Sequence, residues 1–189
     1  MGFLDGVLGR KKAVQPDLDQ LFQLPAAAIT LQAAMDFTPT GTGSVSFRAP
    51  EGRAFAEVQS EIQALLDASG GPKVESVRDN FGYTWLVVRR DPLDIAGLVT
   101  DLHAINATLK DTGFGSTLLC SLVSFRNTAG RSLGVVYLFK QGKFYPFAPI
   151  TEPKRDNILE MQVRDSLGVD LSVEPDLARW FAVWGAPGL

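Results

Sequence analysis

Hydrophobic residues recur along this chain with two periods. Over Gly52–Ser69 they fall at Phe55, Val58, Ile62, Leu65 and Leu66, one face of a helix, and Gly70-Gly71-Pro72 closes it. A longer stripe, Ile95, Leu98, Val99, Leu102, Ile105 and Leu109, predicts a second helix. Asp91 is placed as its N-cap, Pro92 at its first position and Gly113 at its end. Period two takes over elsewhere. Ser44–Arg48 sets Val45 and Phe47 against Ser46, and Lys73–Asp79 and Tyr83–Arg89 read as strands joined by the turn Asp79-Asn80-Phe81-Gly82. Thr117–Phe125, Leu133–Phe139 and Lys143–Phe147 follow, linked by Asn127-Thr128-Ala129-Gly130 and by Gln141-Gly142.

The middle of the chain therefore reads β-α-β-β-α-β. That order predicts an α+β fold: a mostly antiparallel sheet with helices on one face, a ferredoxin-like split βαβ core extended by a strand meander. Spacing leaves the strand order open. On the flanks, Asp17 is placed to cap a helix over Leu18–Leu24 that Pro25 interrupts. Ala26–Phe37 reads as helix for its alanines, although Ile29 and Leu31 alternate as a strand would. Thr38-Pro39-Thr40-Gly41-Thr42-Gly43 reads as a loop, and Pro153 as the start of a helix running to about Leu167.

Gln15-Pro16-Asp17 marks a hinge. It divides an N-terminal amphipathic arm, 1–15, from a single α+β domain, 16–189, with an aromatic C-terminal tail. On a helix the arm, MGFLDGVLGRKK, lines up Phe3, Leu4, Val7 and Leu8 ahead of the cations Arg10, Lys11 and Lys12. That is the layout of a helix lying on an anionic membrane surface. Inserting four such side chains gains about 6–8 kcal/mol, against about 1 kcal/mol lost at each of Gly2, Gly6 and Gly9. Any membrane contact by the arm would thus be weak, reversible or dependent on a partner. The other reading of the arm is a segment that docks on its own domain or on a neighbouring subunit.

Composition narrows the field. The chain has 189 residues and a net charge of −3, which argues against nucleic acid as a partner. One cysteine and one histidine leave no disulfide framework within the chain, no cysteine zinc site and no histidine metal centre. Without a run of 18 apolar residues the chain reads as cytoplasmic. His103 sits at the rim of the long stripe, and Cys120 lies in the apolar run Leu118-Leu119-Cys120-Ser121-Leu122; both read as structural. A hydrolase built on a Cys120–His103 dyad is the remote alternative, requiring that strand and helix face each other there. Gly41-Thr42-Gly43 and Gly113-Phe114-Gly115 match no phosphate-loop fingerprint. No catalytic residue, cofactor or metal ligand is assigned.

Weight falls instead on aromatic residues. Phe144, Tyr145 and Phe147 lie between two prolines, and Trp180 and Trp184 stand at i, i+4 in the tail. They either close the domain's own core or form an interaction surface. A groove beside Phe144–Phe147 that takes a peptide or small molecule, in the manner of a chaperone, is the alternative function. An exposed apolar sheet face would point to a homodimer.

Five segments share a likeness: MGFLDGVLGRKK at the start, FGYTWLVV at Phe81–Val88, LVTDLHAIN at Leu98–Asn106, FYPFAP at Phe144–Pro149 and EPDLARWFAVWGAPGL at Glu174–Leu189. In these the chain resembles the actinobacterial phage-shock-protein-A-associated family known as PspAB, along nearly its whole length. The resemblance implies a small cytoplasmic accessory factor of the envelope-stress response, linked to a PspA-like membrane-remodelling protein; together with the layout of the arm, the expected location is the cytoplasm or the periphery of the plasma membrane's inner face. It brings no catalytic residue and no cofactor.

Overall fold

Proline starts the first helix instead of breaking it. In the computed structural model, which describes residues 16–48 and 53–189, Leu18–Gln23 forms a 3-10 turn that runs into helix α1, Leu24–Met35. Pro25 lies in the first turn of α1, where its missing N–H has no partner to lose. Asp17 caps no backbone group; its carboxylate accepts from Gln20 Nε2 at 3.0 Å.

The segment Thr38–Gly43, expected as a loop, is the first half of strand β1, Phe37–Phe47. Its glycines answer to packing. Pairing with the neighbouring strand shifts register between Pro39 and Gly43, which bends β1. Gly41 adopts φ +80°, and a Cβ there would lie 2.2 Å from the carbonyl oxygen of Arg90. A Cβ on Gly43 would lie 3.0 Å from Leu102 Cδ1.

The remaining elements follow in the expected succession: α2, Arg53–Ala68; β2, Glu75–Arg78; β3, Thr84–Arg89; α3, Ile95–Leu109; β4, Leu118–Asn127; β5, Ser132–Leu138; β6, Lys143–Phe147. Two short strands, β7 (Pro149–Thr151) and β8 (Lys154–Arg155), precede α4, Asn157–Leu167. The main sheet runs β2-β3-β1-β4-β5-β6, antiparallel at every step. Its first four strands take the order of the ferredoxin-like split βαβ, and β5 and β6 add the meander. The α+β fold read from the sequence is the one the chain adopts.

Helix boundaries differ in two places. The N-cap of α3 is Asp94, whose carboxylate accepts from Gly97 N at 3.0 Å, and Asp91-Pro92-Leu93 forms a turn ahead of it. Arg90 fixes this arrangement: it reaches Asp94 through Nη1 at 3.0 Å and clasps the buried Asp101 through Nε and Nη2 at 2.5 and 3.0 Å. Helix α4 begins at Asp156, which accepts from Leu159 N at 2.9 Å, and Pro153 sits in the turn between β7 and β8. Helices α3 and α4 both start where a carboxylate accepts from a first-turn N–H.

Strand alternation gives the sheet two apolar faces. Leu86, Val88, Val123, Phe125, Leu133 and Val135 face the helices, meeting Leu98, Val99, Leu102, Ile105 and Leu109 of α3 and Val58, Ile62 and Leu66 of α2. Leu65, counted in the α2 stripe, is 48% exposed, so α2 buries a narrower face than its pattern suggests. Trp85, Val87, Leu122, Val136 and Leu138 point the other way, and residues of the C-terminal tail cover part of this face.

Gly41→Ala and Gly130→Ala separate steric from conformational cost, because both glycines have φ near +80° and only Gly41 is crowded. Urea denaturation is expected to show a loss of about 1 kcal/mol for Gly130→Ala and about 3 kcal/mol for Gly41→Ala.

Candidate functional site

The tail face of the sheet is held by one buried ion pair. Arg155 Nε meets the carboxylate of Glu160 at 2.7 and 2.9 Å, and Glu160 is only 2% exposed. Glu160 also accepts from Ala148 N at 2.9 Å, which ties α4 to the end of β6. The Arg155 guanidinium lies 4.9 Å from the Phe147 ring centroid and donates from Nη1 to Trp180 O at 2.8 Å. The tail is thereby fixed over the strands. Trp180 stacks on Tyr145 with centroids 6.0 Å apart, and Trp184 sets its edge to Phe147 at 5.0 Å. Tyr145 OH donates to Phe181 O, and Trp180 Nε1 to Glu174 O, both at 2.9 Å.

Beside this clamp the cover is incomplete, and a groove of about 670 Å³ opens. Its floor is one row across four adjacent strands: Trp85, Ser46, Cys120 and Leu138, register partners on β3, β1, β4 and β5. Tyr145, Phe181 and Trp184 form one wall, Phe81 and Tyr83 the other. Phe81 and Phe181, at the mouth, are 54% and 61% exposed. The Asp79 carboxylate shapes the Phe81 side by accepting from the backbone N of Phe81 and Tyr83 and from Trp85 Nε1, each at 2.9 Å. An apolar trough with few polar groups suits an amphipathic helix or an apolar segment.

The chemistry of the two singular residues is now clear. Cys120 lies in the groove floor, and burial pushes its thiol up to about 12. His103 is on α3, across the sheet, with Nε2 3.2 Å from Asp19 Oδ1 and its ring 4.8 Å from that of Phe22. The sheet lies between them, so the dyad reading fails. Among the described residues, no group of three or more His, Cys, Asp or Glu is placed to hold a metal ion. No described helix is long and apolar enough to cross a membrane.

The arm residues singled out by sequence, Phe3, Leu4, Val7, Leu8, Arg10, Lys11 and Lys12, lie outside the described residues. Phe144 faces the helix side, its ring 5.1 Å from Tyr137. Tyr145, Phe147 and Trp180 are buried on the tail side, and Trp184 is half-buried. The tail packs on part of the surface beside Phe144–Phe147, expected as a binding groove, and leaves Tyr145 in the wall of the open groove. The open groove extends from Tyr145 along the sheet and depends also on Phe181 and on Phe81 and Trp85, the last two not singled out in the sequence as site residues. An exposed aromatic within a polar turn, Phe81, was the available signal.

Fold and site together define an α+β domain of the split βαβ class, with an apolar groove where its sheet meets its tail. The chain belongs to the PspA associated protein B family, PspAB, whose family model matches residues 1–188. No curated protein and no solved structure matched the chain.

Two outcomes test this site. Because folding raises the Cys120 thiol from 9.0 to about 12, the folded chain keeps a proton that the unfolded chain releases in that window. Stability is expected to be full below pH 9 and to fall as pH rises toward 12. Burial raises Tyr145 as well, so the urea midpoint of Cys120→Ala should fall less steeply but still fall. Glu160→Ala leaves Arg155 unpaired and should cost about 3–5 kcal/mol, with a red shift of tryptophan emission as Trp180 loosens.

Proposed function

We propose that this protein is a non-enzymatic accessory of an envelope, phage-shock-type stress response, acting as an adaptor for a PspA-like protein. The observation that carries the reading is the apolar groove with Phe81 and Phe181 standing exposed at its mouth. Such a trough accepts the apolar face of an amphipathic helix. The family to which the chain belongs is named for association with PspA, which supports the choice of partner.

The second contact is with the membrane. Phe3, Leu4, Val7 and Leu8 would enter the boundary of an anionic bilayer, with Arg10, Lys11 and Lys12 against its headgroups. Each contact alone is weak, and the two together act as one bivalent attachment at the inner face of the plasma membrane.

The test is capture by an immobilised PspA homologue and co-sedimentation with vesicles rich in phosphatidylglycerol. Phe81→Asp with Phe181→Asp is expected to reduce capture at least tenfold. Phe3→Glu with Leu8→Glu is expected to abolish vesicle retention, which in the unaltered chain declines with added salt. Absence of both capture and retention in the unaltered chain overturns the reading.

A further inference from the structure

We infer that the groove has a resting occupant within the same chain: the apolar stripe of residues 3–8. The inference uses the groove of the proposed function but not the identity of its partner.

Three observations carry it. The first is where the described chain begins. The backbone carbonyl of Asp17 accepts from Tyr137 OH at 2.7 Å, and Gly142, in the β5–β6 turn, lies against Asp17, where a Cβ would stand 3.7 Å from its N. Gln141, the neighbour of Gly142, lines the groove. The arm therefore departs beside the groove's own end. Residues 13–16, extended, reach about 13 Å, enough to round the turn from the helix side to the tail side.

The second is size. The floor crosses four strands, three steps of about 4.8 Å, or about 14 Å. A helix over residues 1–9 is about 13 Å long. The third is chemistry. The trough is lined by Trp85, Leu138, Tyr145, Phe181 and Trp184, and a helix over residues 3–8 would bring Phe3, Leu4, Val7 and Leu8 to one side. Attachment in the same chain raises the local concentration to about the millimolar range, so even a weak contact is populated. While the stripe occupies the groove, neither the groove nor the stripe is available to an outside partner, and release of one exposes both.

The experiment uses the purified full chain alone, without PspA or lipid. Hydrogen exchange of Asp79–Trp85 and of Leu138–Gln141 is compared with that of Phe3→Glu/Leu8→Glu. At least tenfold faster exchange in the variant is expected there, with α1 unchanged. A synthetic peptide of residues 1–15 should restore protection to the variant, and the same peptide carrying both substitutions should not.

Equal exchange in the two proteins, or no response to the peptide, overturns the inference. So does protection that grows with protein concentration, the mark of a second copy in the groove. Capture by PspA without arm-dependent protection leaves the proposed function standing and removes this inference. Protection with neither capture nor vesicle retention leaves this inference standing and overturns the proposed function.

Discussion

Arg155 and Glu160 are the point on which the tail side of this molecule turns. Burying two opposite charges is costly unless their remaining hydrogen-bonding capacity is met. Here Ala148 N, Trp180 O and the Phe147 ring meet most of it, while Arg155 Nη2 has no partner among the described residues. The pair joins the end of β6, β8, α4 and the tail. A hydrophobic pair of equal volume would fill the space but would not dictate where the Trp180 carbonyl must lie. Directionality is what the charges add.

The two faces of the sheet obey different rules. Toward the helices, stripes of Leu, Ile and Val interlock, and glycine at position 43 lets α3 approach β1 closely. Toward the tail, β1 presents Thr42, Ser44 and Ser46, so the centre of that face mixes small polar residues with aromatics. Ser44 Oγ has no hydrogen-bond partner among the described residues. A mixed floor of this kind is a poor platform for a second helical layer. A thin irregular tail covers part of it, and the rest remains a trough.

Much of this fold was legible because periodicity reports burial directly. The α3 stripe and the β-α-β-β-α-β succession needed no tertiary information. Strand order was hidden, since a hairpin and a crossover leave the same spacing in sequence. Thr38–Gly43 misled because the residues that permit a turn also permit a bulged strand under a close-packed helix. The ion pair was harder to see. Arg155 and Glu160 are five apart and straddle an element boundary, so no helical pairing rule joins them. One trace existed: Glu160 shares a face with Val163 and Leu167, a carboxylate on an otherwise apolar stripe. The aromatic tail announced that it would be buried, but not against which residues.

The tail's position in the chain has a consequence during synthesis. The last strand of the sheet ends at Phe147, and Trp184 emerges from the ribosome roughly 37 residues later, a delay of about 2–7 s at ordinary translation rates. Through that interval Val136, Leu138, Tyr145 and Phe147 form a bare apolar surface on an already paired sheet. The nascent chain thus passes through a stage, set by the order of elements along the chain, in which this surface has no cover from the tail.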